Sequence, residues 1–513
     1  MHLDRDACYR ALLTRDARFD GRFFTAVRTT GIYCRPICPA RTPKLENIIF
    51  MPSAAAAQAA GFRPCLRCRP ETSPEVAAWH GTSTTVARAM TLIAAGALNE
   101  AVVDGLAGRL GIGERQLRRL FRKHIGASPK AVAQTRRVLF AKQLVTDTRL
   151  PMAEVALASG FGSLRRFNAT FRSLYGRPPR SLRRADAADA TASAIRLILP
   201  FKPPYDWPAL IGFLAARAIS GVECVQPGAY VRSIALAGAQ GTIEIRPAER
   251  QPALIATIRF PVITALPAIV ERIRRLFDLG ADPAVIGAHL AEDPDMARLV
   301  ASRPGLRVPG AWDGFELAVR AILGQQITVS AATALAGKLV ALCGTRLLPA
   351  AASPSHVFPT PEQIAAIDDL GAALGMPRRR AAAITALARS AAADPGLFEP
   401  GRGLDETVAA LRVLPGIGEW TAQYIAMRAL REPDAFPAAD IGLLRATATA
   451  DGRPTPAQLL ARAAAWRPWR AYAALHLWAA GAVRPDPATP KGDFHEPAPR
   501  SRPLADRRDS AGL

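Results

Sequence analysis

Residues 411–443 read LRVLPGIGEWTAQYIAMRALREPDAFPAADIGL. Two helical runs flank Leu414-Pro415-Gly416-Ile417-Gly418. Pro and two Gly in five residues make a tight hairpin whose backbone amides point outward. Such amides, with the N-terminus of the next helix behind them, can hold a phosphate without reading a base. A lone Gly-x-Gly turn is weak, because many helix–helix turns contain Gly. An Asp about twenty residues further on, Asp440, makes the combination more telling. Taken alone, that Asp reads as a helix N-cap or a surface residue.

Working outward, 269–485 reads as helix nearly throughout, punctuated by Pro and Gly. Residues 195–268 carry alternating runs such as YVRSIALAG and GTIEIRP, which predict strands. Residues 185–194 are small and polar and predict a linker, and the Pro-rich, charged stretch 486–513 predicts a disordered tail. Residues 82–184 are helical and contain an echo about fifty residues apart, LFRKHIGASPKAV at 120–132 and TFRSLYGRPPRSL at 170–182. Each copy ends a basic amphipathic helix with Gly and then Pro, a stop signal. Residues 1–78 hold the clustered cysteines. At about 150 residues per domain, the 513 residues predict three or four domains.

Charge separates these regions further. The net charge is +23, yet residues 1–185 hold 31 Lys and Arg against 12 Asp and Glu, leaving only +4 for the rest. A genome-wide Arg bias would raise Arg everywhere, so the asymmetry points to a polyanionic partner, nucleic acid. No uncharged apolar run is long enough to span a membrane, and the start, MHLDRDACYR, lacks the apolar core of a signal peptide. The expected location is the cytoplasm, at the nucleoid.

Four of the seven cysteines fall at Cys34, Cys38, Cys65 and Cys68, a C-x3-C pair, 26 residues, then a C-x2-C pair. Four thiolates satisfy a tetrahedral zinc, which this spacing favours over an iron–sulfur cluster or free thiols. Arg35, Arg41, Arg63, Arg67 and Arg69 crowd the quartet, and cations there favour thiolate over thiol. On chemistry alone, a closed inert site is the blander reading and a reactive thiolate the sharper one.

The stretches FDGRFFTAVRTTGIYCRPICPAR (19–41) and GFRPCLRCRPE (61–71) closely resemble the N-terminal zinc domain of the Ada family of bacterial methylation-response proteins. The resemblance implies that Cys34, the first of the quartet, accepts a methyl group from a methylated DNA phosphate, with Cys38, Cys65 and Cys68 as the other zinc ligands. Residues 102–126, VVDGLAGRLGIGERQLRRLFRKHIG, and 152–176, MAEVALASGFGSLRRFNATFRSLYG, resemble the two helix-turn-helix units of an AraC-type domain. Ala107 with Gly111, and Ala156 with Gly160, then take the packing and turn positions, and Arg115, Arg118, Arg165 and Arg166 are candidate DNA contacts.

Along nearly all of 195–485 the chain resembles the AlkA family of alkyl-base DNA glycosylases. The matching stretches are PPYDWPALIGFLAARAISGVE, FELAVRAILGQQITVSAA, ALGMPRRRA, LPGIGEWTAQY and WRPWRAYAALHLW. The resemblance implies a small antiparallel β subdomain followed by helical subdomains around a cleft. It implies Asp440 as the catalytic carboxylate, Gly416 and Gly418 as the DNA-binding hairpin, and Trp420, Tyr424 and Trp478 as the aromatic base pocket. A carboxylate stabilises the oxocarbenium-like sugar, and electron-rich rings favour a cationic base by about 0.5–2 kcal/mol. The Lys used by bifunctional relatives for Schiff-base chemistry is replaced by Trp420, so a monofunctional enzyme is expected. Two departures stand out. The family's Leu wedge is Gln326 here, and the Asp before the catalytic one is Ala439. His124 and His476 have no partners that suggest a metal and read as structural.

The expected architecture is multidomain: a small zinc-bound α/β domain, an all-α double helix-turn-helix, and an α+β glycosylase with a helix-hairpin-helix core. The expected function is alkylation repair joined to its own regulation. A DNA-3-methyladenine glycosylase II is fused to a methyl-phosphotriester-sensing activator that binds Zn(2+), alkylated DNA, promoter DNA and, as an activator, RNA polymerase. The alternative is a transcriptional regulator whose glycosylase half is inactive. A third possibility, repair of O6-alkylguanine, needs a Pro-Cys-His-Arg motif that none of the seven cysteines provides. With no zinc ligand in it, the glycosylase half is expected to act alone as residues 190–490.

Overall fold

The computed structural model describes residues 4–74, 84–99, 101–183, 194–348, 354–399, 401–450 and 452–481. The expected linker, apart from Ala194, and the expected tail lie outside the described residues, as does the boundary expected between 78 and 82.

The N-terminal unit opens with helix Arg5–Leu13, whose first amides are capped by the Asp4 carboxylate. A four-stranded sheet follows in the order β3-β1-β2-β4, with β1 Phe24–Val27, β2 Ile32–Cys34, β3 Ile48–Met51 and β4 Arg63–Pro64. Only β2 and β4 run parallel, pairing Ile32 with Arg63 and Tyr33 with Pro64. That single parallel pairing brings the two cysteine pairs, 30 residues apart in sequence, to the same end of the sheet.

Two helix-turn-helix units follow. Helices Val103–Arg109 and Glu114–Ile125 form the first, Met152–Ala158 and Leu164–Tyr175 the second, and helix Pro129–Asp147 joins them. Ala107 and Ala156 are buried where the helices cross, and the turns use Gly111 and Gly160 in the left-handed region (φ +68° and +78°). Both longer helices end on a left-handed Gly, Gly126 and Gly176, as their stop signals predict.

The second half begins with a five-stranded antiparallel sheet ordered β5-β9-β8-β7-β6. Its strands are β5 Ile195–Pro200, β6 Glu223–Gln226, β7 Ala229–Leu236, β8 Ala239–Pro247 and β9 Ala253–Arg259. Helix Trp207–Ala215 sits between β5 and β6. From Leu266 to Gly481 the chain is helical apart from a ribbon of two residues per strand, β10 Thr345–Arg346 and β11 His356–Val357. Two residues carry no readable alternation, so sequence periodicity gives no sign of this ribbon.

The helical body has its own core, which includes Ile322, Ile384, Ile425 and Trp466. The other large core crosses the expected domain boundary. Val138, Leu144, Phe167 and Phe171 of the second helix-turn-helix unit share one buried cluster with Leu199, Ile258, Ile269 and Ile273. Polar ties cross the same joint. Gln143 donates to the Ile198 carbonyl (2.9 Å), and Arg22 and Lys202 both pair with Asp282 (2.8 and 2.7 Å). Arg109 pairs with Glu399 (2.7 Å), and Arg88 donates to the Gly401 carbonyl (2.8 Å). The two halves are therefore packed together, and residues 190–490 alone would expose apolar surface that the full chain covers.

The zinc unit is held to the helix-turn-helix by an internal ion-pair cluster. Lys142 meets Glu71 at 2.5 Å with both side chains essentially inaccessible, and Arg69 bridges Glu71 (3.0 Å) and Asp147 (2.7 Å). Removing one partner of a buried pair strands the other charge, at about 3–5 kcal/mol. Lys142→Ala should fall near the low end, about 3 kcal/mol, because Arg69 still faces Glu71. Denaturant unfolding checks this, and a loss under about 1 kcal/mol would mean that the pair is solvated.

Candidate active site and metal centre

The hairpin is shaped by close packing. Gly416 has φ +79°, and a Cβ there would lie 2.5 Å from the Ala383 Cβ. Only Gly fits on both counts. Gly418 faces open space and is the N-cap position of helix Glu419–Arg428, so its neighbourhood presents bare backbone. Gln325 braces the turn from outside, donating to the Gly416 carbonyl (2.9 Å) and the Thr421 hydroxyl (3.1 Å), while Arg380 donates to the Gln325 carbonyl (2.6 Å). The next residue, Gln326, is exposed and adopts φ +60°, an unusual conformation for a residue with a side chain. Strain held at an exposed tip fits a side chain displayed for contact.

Asp440 is the N-cap of helix Ile441–Ala446, so the structural reading of this residue is also correct. Its Oδ1 accepts from the Leu443 amide (3.1 Å) and from Trp478 Nε1 (2.8 Å), and its Oδ2 accepts from Trp420 Nε1 (2.8 Å). Two indoles, from 20 residues before and 38 after, thus fix both carboxylate oxygens. Gly442 leaves room for this: a Cβ there would come within 3.0 Å of Asp440 Oδ1 and 3.3 Å of the Trp478 ring. Trp420 stacks on Tyr424, one helical turn on, with centroids 5.3 Å apart and planes at 10°. The four residues Trp420, Tyr424, Asp440 and Trp478 are brought together as the pattern predicts.

The wall continues through residues that sequence reasoning did not single out. Tyr424 Oη accepts from Arg428 Nη1 at 2.6 Å. The Arg428 and Arg217 guanidinium carbons lie 4.7 and 3.8 Å from the Phe213 ring centroid. Phe213 comes from helix Trp207–Ala215, in the β subdomain, within the matched stretch PALIGFLAAR. The signal was there as an aromatic four residues before an Arg, but that spacing is common on any helix.

In the N-terminal unit, the ligand sulfurs of Cys34, Cys38, Cys65 and Cys68 all lie within 4.8 Å of one another. Zn–S bonds of about 2.3 Å in a tetrahedron require sulfurs about 3.8 Å apart, so the quartet fits this metal with little adjustment. Cys38, Cys65 and Cys68 are buried, and Cys34, at the end of β2, is half-buried. The Arg35 amide donates to Cys68 Sγ (3.3 Å), supporting the cluster from the backbone. The Arg35 guanidinium is committed elsewhere, to Asp20, the Cys68 carbonyl (3.1 Å) and the Thr72 hydroxyl (2.7 Å). Arg69 likewise serves the domain joint, so of the five basic residues only Arg41, Arg63 and Arg67 stand exposed. Purified protein should hold one zinc per chain, and Cys65→Ala should lose most of it; metal analysis finding zinc undiminished in that variant would exclude this quartet.

Among the described residues this is the one cluster with metal-ligand geometry. His476 is buried, which pushes its pKa down to about 4 and keeps it neutral, as a structural histidine requires. Arg115, Arg165 and Arg166 are exposed near the starts of their helices, whereas Arg118 bonds Glu114 one turn back (2.7 Å). No helix among the described residues is long and apolar enough to cross a membrane.

Comparison with known proteins agrees with this organisation region by region. Family models match for the metal binding domain of Ada (residues 7–71) and a helix-turn-helix domain (106–185). In the second half they match for the AlkA N-terminal domain (196–313) and the HhH-GPD superfamily of base excision DNA repair proteins (319–471). The chain is 43% identical over 93% of its length, and 97% of the relative's, to a probable bifunctional transcriptional activator/DNA repair enzyme AlkA of Mycobacterium tuberculosis. Its second half is 37% identical to DNA-3-methyladenine glycosylase 2 of Escherichia coli, covering 56% of this chain and 99% of that one. In fold it resembles the 3-methyladenine DNA-glycosylase of Archaeoglobus fulgidus (TM-score 0.50, 23% identity), covering 56% of this chain and 99% of that chain.

Proposed function

The chain belongs to the family of bifunctional AlkA/Ada-like transcriptional activators and DNA repair enzymes, and from that premise we propose how its residues divide the work. It is a zinc- and DNA-binding repair protein with a glycosylase domain, which sets aside the reading as a regulator with an inactive half. The glycosylase is of the DNA-3-methyladenine II type and monofunctional. The observation that carries this is the Asp440 carboxylate, held between the Trp420 and Trp478 N–H groups beside the Gly416–Gly418 hairpin.

In this reading the hairpin amides bind a phosphate next to the lesion, and Gln326 fills the space of the extruded nucleotide. The base enters beside Trp420, Tyr424 and Trp478. As the C1′–N bond breaks, its electron pair goes to the base and positive charge develops on the sugar. Asp440 stabilises that charge, and water then bonds to C1′. No Lys stands at the position of Trp420, so the product is an abasic site with the strand intact. Release of 3-methyladenine, with strand nicking measured separately, tests the assignment; efficient nicking by the wild type would refute the monofunctional part.

In the N-terminal unit, Cys34 is the methyl acceptor, and half-burial makes it the most accessible thiolate of the quartet. Bound zinc keeps the four sulfurs ionised at neutral pH. A Cys34 lone pair attacks the methyl carbon of a neutral phosphotriester, the C–O bond breaks, and the phosphodiester leaves as an anion. The product is a thioether, and the quartet with its ion passes from a formal −2 to −1. Less repulsion from phosphate tightens DNA binding, a chemical switch that acts once. Arg115, Arg118, Arg165 and Arg166 contact promoter DNA, and RNA polymerase is the expected further partner. The domain limits expected from sequence, 1–78, 82–184, 195–268 and 269–485, complete the proposal.

A further inference from the structure

We propose that the Tyr424 hydroxyl donates a hydrogen bond to the departing base and extends excision to neutral lesions, those without a formal positive charge. The inference rests on the glycosylase reading and concerns the side of the pocket away from Asp440.

The geometry begins with Arg428. Its Nε donates to the Pro309 carbonyl (2.8 Å) and its Nη2 to the Gly310 carbonyl (3.0 Å), so the guanidinium cannot turn away. Its Nη1 reaches Tyr424 Oη at 2.6 Å. A guanidinium can only donate, so this bond takes a lone pair of the phenol oxygen and leaves the phenol proton to point elsewhere. Among the described residues no oxygen or nitrogen accepts that proton. The Tyr424 ring lies parallel to Trp420, whose indole holds Asp440, so the hydroxyl belongs to the wall that a base must line. Arg428, Arg217 and Arg320 all favour the phenolate and bring the Tyr424 pKa below its ordinary value, against the effect of burial. That makes the phenol a stronger donor.

The chemistry separates two substrate classes. A cationic base such as 3-methyladenine leaves as a neutral molecule and needs no donor. A neutral base such as hypoxanthine leaves with an electron pair that no positive charge offsets. A donor at its ring nitrogen or oxygen stabilises that developing charge, and the water that adds to C1′ finally supplies the proton that the free base carries. Two guanidiniums beside the pocket do nothing to attract a cationic base, but they polarise a phenol toward donation.

The test uses the full chain and single-turnover release of hypoxanthine and of 3-methyladenine from otherwise matched duplexes. Tyr424→Phe keeps the ring and removes the donor. The ratio of hypoxanthine to 3-methyladenine excision should fall about 100-fold, the size of one lost donor to developing charge. Arg428→Lys, which frees the phenol lone pair, should lower the same ratio by a smaller factor. Wild-type hypoxanthine release should also decline at alkaline pH as the phenol ionises, while 3-methyladenine release should not. An unchanged ratio in Tyr424→Phe, whether both rates hold or fall together, overturns the proposal, as does a wild type that releases 3-methyladenine but no hypoxanthine. A wild type that releases neither instead defeats the glycosylase reading beneath it.

Discussion

Asp440→Asn should lower single-turnover release of 3-methyladenine about 100- to 1,000-fold, the effect of removing one well-placed group that faces developing charge. The side chain keeps its size, and Asn still caps helix Ile441–Ala446. The bonds to the two indoles cannot both survive. Trp420 donates to one carboxylate oxygen and Trp478 to the other, whereas Asn offers one oxygen and one NH2. One indole N–H then faces another donor, so a stability loss of about 1–3 kcal/mol should accompany the loss of rate. DNA binding through the Gly416–Gly418 hairpin should persist. Base release, thermal unfolding and DNA affinity measured on the same variant separate these effects. A variant within a few-fold of wild type in base release would remove Asp440 from catalysis.

The second large effect is all-or-none. Exposure to DNA carrying methyl phosphotriesters should add one methyl, about 14 Da, to the peptide that contains Cys34, and Cys34→Ser should take up none. Among the four ligands Cys34 alone is half-buried, so the acceptor is set by access rather than by a different thiol chemistry. The methylated chain should bind promoter DNA more tightly at a given salt concentration, because the cluster has lost one negative charge. Peptide mass analysis and salt-dependent binding check the two parts. Methyl found on Cys38, or on no cysteine, would refute the assignment.

The features legible in the sequence were those written within short spans. The cysteine spacing, the Gly turns with their following basic helices, and the hairpin with Asp440 all keep their chemistry within a few dozen residues. The sheet of the β subdomain and the helical body followed from periodicity. What stayed hidden depends on distant segments meeting. Trp420 and Trp478 were read as base-stacking rings, and no spacing could say that their N–H groups also converge on Asp440. Phe213 and Arg217 reach Tyr424 and Arg428 from about 200 residues away. Arg35 and Arg69 looked like cations placed to serve the thiolates, but the fold uses their guanidiniums as internal struts to Asp20 and Asp147. The joint between the halves was hidden for the same reason. Val138, Phe167 and Phe171 look like the inner face of a self-contained helical domain, yet they share a core with Leu199 and Ile269.

The central claim is that this chain removes alkylated bases with Asp440 and leaves the DNA strand whole. Its most direct test is a time course of free 3-methyladenine released from methylated duplex DNA by the full wild-type chain, with excess substrate and with nicked strands counted in the same samples. The account predicts many bases released per chain and no nicks above background until the abasic sites are cleaved by alkali. Release that stops at or below one base per chain, or nicks that keep pace with base release, would contradict it.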